Sequence, residues 1–481
     1  MQNYKMLIGG ELVDAVSGQT YDVINPATGE VIAKAPLGSQ VDAERAVAAA
    51  QKAFPVWSKM RQDERSRIVS QIAAAILEHV EELAWIETLD HGTPIDMAIH
   101  GAIPGAAEDF EYYAYASRAL MGGTFPARPG VLSYIMREPI GVCAQITPWN
   151  DPLGMIGVMT GPALAVGNAC IVKPPSIDSL AALKFGEILS KLDIPPGAVN
   201  IISGPGDTVG ETLASHPAVG KVAVTGSCET GKRIMACASK TVKQVNMELG
   251  GKNPFIILED ADLDAAVGAA VFSSFFNGGM VCACPGRFYV HEKLHAEFVD
   301  RFVEGAKRLV VGDPTDPKTQ MGPMVSEEHR NNVEGYIKSG IDQGAGLVLG
   351  GIRPTTPPLD KGFYVMPTVF TNVTQNMKIA REEIFGPVVC IIKFSSEDQV
   401  VEMANDNTFG LSASVWTKDT GKGLRFAHEI QAGWVWVNEH LRKAKELPWG
   451  GYKESGFGRA GSIYSIEEYT QLKVVWVNLG K

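Results

Sequence analysis

Glu248 and Cys282 stand 34 positions apart in a chain of 481 residues, the first before Leu249-Gly250-Gly251-Lys252-Asn253-Pro254, the second closing Phe275-Phe276-Asn277-Gly278-Gly279-Met280-Val281-Cys282. Together they offer a carboxylate that can take a proton and a sulfur that can attack a carbonyl carbon. That pair suits a reaction in two stages, addition of sulfur to a carbonyl and then attack of an activated water on the thioester. A catalytic thiol must be accessible and readily ionised, and the glycines at 278, 279 and 286 let backbone approach a substrate closely. Taken singly, each residue has a plainer reading. A lone glutamate is a solvated surface charge, and a lone cysteine, Cys284 included, is a small packing residue.

The elements around this pair have βαβ rhythm. Short apolar runs at Cys143 to Thr147, Cys170 to Lys173, Val199 to Ser203 and Lys221 to Thr225 read as buried strands, with helical patterns such as Leu180 to Leu192 between them. A mainly parallel sheet covered on both faces follows. A long helix is expected over Val41 to Val80, broken near Pro55. After Asp262 the rhythm restarts with a helix over Leu263 to Phe276, the cysteine loop, a strand over Arg287 to His291 and a helix over His295 to Leu309. Gly350 to Pro367 reads as a surface loop or hairpin. The tail Tyr469 to Val477 is strongly β-prone, and a lone strand there would be an unpaired edge.

Composition sets the bounds. The length calls for two or three units sharing a large core, and 45% hydrophobic with 20% charged residues fits an ordinary soluble α/β enzyme. A net charge of -11 disfavours nucleic acid or anionic membrane as main partner. Seven cysteines without a compact framework, and an N-terminal stretch without a secretory apolar core, point to reduced thiols in the cytoplasm. The longest apolar stretch, Met155 to Val172, is interrupted by glycine, proline and asparagine, which suits a buried helix leading into a strand better than a lipid span.

Cofactor recognition does not use GxGxxG. Instead Val224-Thr225-Gly226-Ser227-Cys228-Glu229-Thr230-Gly231 runs from a strand into a helix N-terminus, where N–H groups and the helix dipole favour a pyrophosphate and Ser227 adds a hydroxyl donor.

The segments around Glu248 and Cys282 closely resemble the two signature segments of the aldehyde dehydrogenase superfamily, and matching pieces recur from about Ile24 to Lys473. The resemblance implies a Rossmann-type cofactor domain (1–119 and 139–250), an α/β catalytic domain (251–454) and a small β oligomerisation element (120–138 and 466–481), assembled as a homodimer or homotetramer. It implies NAD(P)-dependent oxidation of an aldehyde to an acid, with Cys282 as nucleophile, Glu248 as base and Asn150, from Thr147-Pro148-Trp149-Asn150, as oxyanion donor beside the cysteine's own N–H. Its register places the reactive sulfur at Cys282 rather than Cys284, although the family usually has Gln where Met280 stands. Thr147, Trp149, Lys173, Gly206, Gly226, Ser227, Leu249, Glu383 and Phe385 are implied as cofactor-binding. No metal is implied. Where strictly NAD-preferring relatives have glutamate three positions after the lysine, this chain has Ser176, so acceptance of NADP is expected. Asp151, Met155, Val281, Arg442 and Lys443 are the expected substrate contacts. Their charges suggest a semialdehyde or hydroxyaldehyde, unless Asp151 is spent in an ion pair with a neighbouring base. A CoA-acylating enzyme would lack the base at Glu248, and a crystallin-like structural protein would have lost the nucleophile or the base.

Overall fold

The computed structural model describes residues 2–480, which form two large sheets wrapped by helices, with smaller sheets at the margins. The first large sheet has eight strands, and its centre runs Gln244–Glu248, Val219–Thr225, Val142–Ile146, Ala169–Lys173 and Val199–Ile201, all parallel. These strands are apolar on both faces, with Ala144, Ile171, Val172, Val222 and Val224 all buried, because helices cover the sheet on either side. Antiparallel strands finish its edges: Gly456–Phe457 on one side, Met6–Ile8 and Glu11–Val13 on the other. The expected strands and the helix Leu180–Leu189 all occur, with ends displaced by a few residues.

The long N-terminal helix departs from expectation. It runs Gln40–Lys59 with Pro55 inside, stops at Met60, and resumes as Gln62–Glu78. The turn beyond the proline is fastened by Trp57, which is buried and donates its Nε1–H to the Leu164 carbonyl at 3.1 Å. The real stop is built by Arg65, whose guanidinium donates to the carbonyls of Ser58, Met60 and Ala165. Orphan carbonyls at a helix end need such donors, and they decide the boundary here more than the proline does.

The second large sheet has seven strands in the order Gly346–Leu349, Thr368–Thr371, Val388–Phe394, Pro285–His291, Asn253–Ile257, Ser412–Trp416 and Trp434–Val437, parallel except for the first. Leu263–Phe275 and His295–Lys307 pack on it through Phe275, Phe298 and Phe302, which meet Phe255 and Phe288 of the sheet. Gly350 to Pro367 holds neither helix nor strand. The tail strand Thr470–Asn478 is not alone: it pairs antiparallel with Val131–Pro139 from Thr470 opposite Pro139 to Asn478 opposite Val131. It remains the outer strand of a three-stranded sheet, with Leu472, Val474 and Trp476 exposed.

The two parallel sheets are joined by a very short step. Gln244–Glu248 leaves the first sheet at its C-terminal edge, and after Leu249 to Lys252 the chain enters Asn253–Ile257 of the second. The C-terminal edge of one sheet therefore faces the N-terminal edge of the other.

Candidate active site

Parallel register brings the first sheet's functional residues into one row. Ile146 lies opposite both Lys173 and Val224, and Val224 lies opposite Met247, so Thr147, Lys173, Thr225 and Glu248 all sit where the strands end. Open α/β sheets bind ligands at this edge. Gly226 donates its N–H to the Glu248 carbonyl at 3.1 Å, and Ser227 caps the helix Cys228–Ala238 by accepting from the Thr230 N–H at 3.2 Å. The Ser227 hydroxyl donates to Thr230 Oγ1 at 3.0 Å, so it is engaged in the cap rather than presented as an extra donor. A Cβ on Gly226 would meet only Thr230, at 3.9 Å, and Gly206, opening the next short helix, is similarly unobstructed. Thr147 Oγ1 is buried without a partner. These open backbone cradles, with an orphan hydroxyl beside them, fit a dinucleotide laid along the sheet edge.

Lys173 is buried, donates to the Pro174 carbonyl at 3.0 Å, and has its pKa brought down to about 8 by burial, with Asp207 acting in the opposite sense. Ser176 Oγ donates to the Gly204 carbonyl at 3.0 Å. Asp207 thus puts a carboxylate near the very lysine expected to meet a phosphate.

The second sheet contributes from the segments that precede its strands. Asn277, Gly278 and Gly279 have φ of 48°, 62° and 73°, a left-handed run that only asparagine and glycine enter readily. A Cβ on Gly279 would lie 2.4 Å from the Gly386 carbonyl, so the cysteine loop and the Glu383 segment touch backbone to backbone. The loop's carbonyls are clamped. Asn253 Nδ2 donates to Cys282 O at 2.7 Å and Cys284 O at 2.8 Å, and His440 Nε2 meets Ala283 O at 3.0 Å. Asn277 Nδ2 donates to Asn150 O at 2.9 Å, tying the loop to the turn that carries Asn150. Glu383 accepts from the Gly251 N–H at 2.9 Å, and burial raises its carboxyl to about 7. Phe385 has φ of 57° and is held by His329, whose Nε2–H donates to its carbonyl at 2.7 Å. Its ring meets Trp149 edge-on at 5.1 Å between centroids.

Cys282, Glu248, Asp151 and Met155 open on one cavity of about 230 Å³, with Leu249, Trp434, Lys443, Lys445, Leu447 and Trp449 also on its wall. Glu248 ends a strand rather than riding on a flexible turn, and neither carboxyl oxygen has a protein partner. Burial raises its pKa well above the usual carboxylate range, with Arg459 opposing. Burial likewise pushes the Cys282 thiol up to about 11, against the pull of Lys443. The expected ease of ionisation is therefore not a resting property of this thiol.

Val281 and Arg442 lie apart from that cavity. Val281 lines the adjoining crevice of Glu383 and Phe385, and Arg442 is exposed, its carbonyl accepting from Trp436 Nε1–H at 2.7 Å. Asp151 forms no close ion pair among the described residues. Its carboxyl folds back over the start of helix Pro152–Ala165, so near that a Cβ on Gly154 would stand 2.3 Å from it. Lys445 pairs instead with Asp109 at 2.7 Å and donates to the Gly105 carbonyl at 3.0 Å. Asn253, His329, His440, Asp109 and Trp449 were not singled out from sequence. Only Asn253 carried a signal, being inside the Glu248 segment.

The family model described as "Aldehyde dehydrogenase family" matches residues 12–475. Among solved structures, the chain is similar to an NAD-dependent aldehyde dehydrogenase from Sinorhizobium meliloti, at 40% identity and TM-score 0.97 over 100% of this chain and 95% of that one. It is similar to PnpE in complex with nicotinamide adenine dinucleotide, at 40% identity and TM-score 0.98 over 100% and 98% of the two chains. It is also similar to a betaine aldehyde dehydrogenase point mutant from Staphylococcus aureus, in complex with NAD+ and with a BME-modified cysteine, at 37% identity and TM-score 0.97 over 99% and 98%.

Proposed function

The chain belongs to the aldehyde dehydrogenase family, and on that premise we propose that it oxidises a polar or ionised aldehyde to the carboxylic acid with NAD or NADP, through a thioester on Cys282. The observation that carries this reading is the shared cavity of Cys282 and Glu248, which two different sheets deliver to one space. Cys282, as thiolate, adds to the aldehyde carbon. The developing oxyanion is steadied by the Asn150 side chain and by the Cys282 N–H, which makes no hydrogen bond to a described protein group. A nicotinamide dinucleotide held by the residues named below would supply the hydride acceptor, and loss of hydride from this carbon leaves a thioester on Cys282. Glu248 then draws a proton from water, the hydroxide adds to the thioester, the C–S bond breaks, and acid and thiolate separate.

Lys173, Ser176 and Gly206 would receive the adenosine end, Gly226 and Ser227 the pyrophosphate region, and Thr147, Trp149, Leu249, Glu383 and Phe385 the nicotinamide end. NAD complexes of two relatives support a nicotinamide dinucleotide. The absence of a glutamate at Ser176 supports acceptance of NADP, while Asp207 beside Lys173 works against a strong preference for it. In this reading 1–119 with 139–250 bind cofactor, 251–454 carry the nucleophile, and 120–138 with 466–481 join subunits of a homo-oligomer through the apolar outer strand.

Absorbance at 340 nm with an aldehyde panel tests the activity. Cys282→Ala is expected to abolish turnover while cofactor still binds, and Glu248→Gln to slow thioester release most. An unchanged steady-state rate in either variant removes that residue from the mechanism.

A further inference from the structure

We infer that Lys443 is an anchor for a carboxylate on the substrate, so that the preferred aldehydes carry a negative charge at the end remote from the carbonyl. This rests on the reading that Cys282 and Glu248 oxidise aldehydes in the cavity they share.

The cavity wall holds two cations and two acids besides Glu248, and they are not equally committed. Lys445 is neutralised by Asp109 at 2.7 Å and donates a second bond to the Gly105 carbonyl. Asp151 is turned onto the helix start beside Gly154, and burial raises its pKa, which favours the uncharged form. Lys443 has neither an ion pair nor a hydrogen bond to any described residue. Its ammonium rests 3.6 Å from the centroid of the Trp449 ring, a contact that fixes the charge and leaves its N–H donors available.

Trp434 stands 5.6 Å from Trp449 between ring centroids, so the lysine lies along an aromatic wall while its side chain stays exposed at the mouth of the cavity. The field of Lys443 reaches Cys282, Glu248 and Asp151, in each case favouring the anion. The uncommitted charge facing the reacting sulfur is therefore positive. A carboxylate entering beside the tryptophans would give the ammonium the partner it lacks, through a charge-assisted hydrogen bond. A cationic aldehyde would meet the same ammonium as a repulsion.

The test uses the full chain with either cofactor and three probes: succinic semialdehyde as anion, butanal as neutral match, and 4-(trimethylammonio)butanal as cation. The semialdehyde is expected to exceed butanal at least tenfold in kcat/KM. Lys443→Gln should cut that ratio tenfold or more, and Lys443→Arg should keep most of it. Because Lys443 also acts on the sulfur, the ratio between probes, and not the rate with one, reads the anchor. With the unmodified chain, added KCl should erode the anionic advantage. Oxidation of the probes with a ratio indifferent to Lys443→Gln, or a lead for the cationic probe, overturns the anchor alone. Oxidation of none of the three overturns the aldehyde reading and the anchor with it.

Discussion

At Cys282 and Glu248 burial raises both pKa values, so each group must give up its proton before it serves as nucleophile or base. Burial penalises the charged form of each, while Lys443 and the Ala283 N–H at the thiol, and Arg459 with Lys443 at the acid, pull the other way. The rate of the hydrolytic stage should therefore rise with pH through the range in which Glu248 loses its proton. In Glu248→Gln that acidic limb should disappear, which a pH profile of thioester release will reveal. Ser176→Glu restores a carboxylate next to Lys173 and should lower kcat/KM for NADP at least tenfold relative to NAD. The identity of these groups was legible in the sequence, because sulfur, carboxylate and amide are chemical types. Their ionisation was not, since it depends on what the fold stacks above them, and neither was the commitment of Asp151 and Lys445 to different partners.

Elements made of local pattern were readable, and those made by distant donors were not. The strands of the first sheet follow from continuous apolar runs, whereas the end of the first long helix depends on Arg65 reaching back to the Ser58 and Met60 carbonyls while it is held in place by the distant Ala165 carbonyl. The same distinction holds in the loops. Gly250 looks like an ordinary turn glycine, yet a Cβ there would come within 2.0 Å of Glu383 Oε2. Gly250→Ala should displace that carboxylate and raise the KM for cofactor several-fold more than the KM for aldehyde, while Gly268→Ala, on an open helix face, should do neither.

The loop after Lys173 also meets helix Val80–Asp90 through acids. Asp90 accepts from the Leu180 N–H at 2.8 Å, and Asp178, with both oxygens unpartnered, lies against it. Burial raises Asp178 well above the carboxylate range, Asp90 to about 7 and Glu87 to about 8. Since the folded forms hold protons that the unfolded chain has already lost, stability should fall as pH rises from about 4.5 towards 8. Thermal melts should show this slope, and Asp178→Asn should flatten it.

On the scale of the whole molecule, two sheets meet edge to edge, C-terminal ends against N-terminal ends, and both large sheets with their connecting rhythm were foreseeable. The family resemblance, which joins 120–138 to 466–481 in one small β element, pointed to the partner of the tail strand, whereas local pattern did not, because Val131–Pro139 lies more than three hundred positions away in sequence. The outer face of that strand presents Leu472, Val474 and Trp476 to solvent. Exposed apolar strands of this kind are covered in assemblies. Replacing Val474 and Trp476 by Asp should shift the mass seen by light scattering towards the monomer. A mass unchanged from the parent chain would separate this strand from assembly.

The tether of Lys445 to Asp109 and to the Gly105 carbonyl, with the Trp436 indole holding Arg442 O, pins the chain on both sides of residue 443. A stretch of backbone strung between two such moorings has already surrendered much of its freedom before any guest arrives. Capture should then proceed without a folding step, as a key meets a lock already cut, and discrimination among guests would be set by shape and charge in advance rather than by how readily the mouth can mould itself.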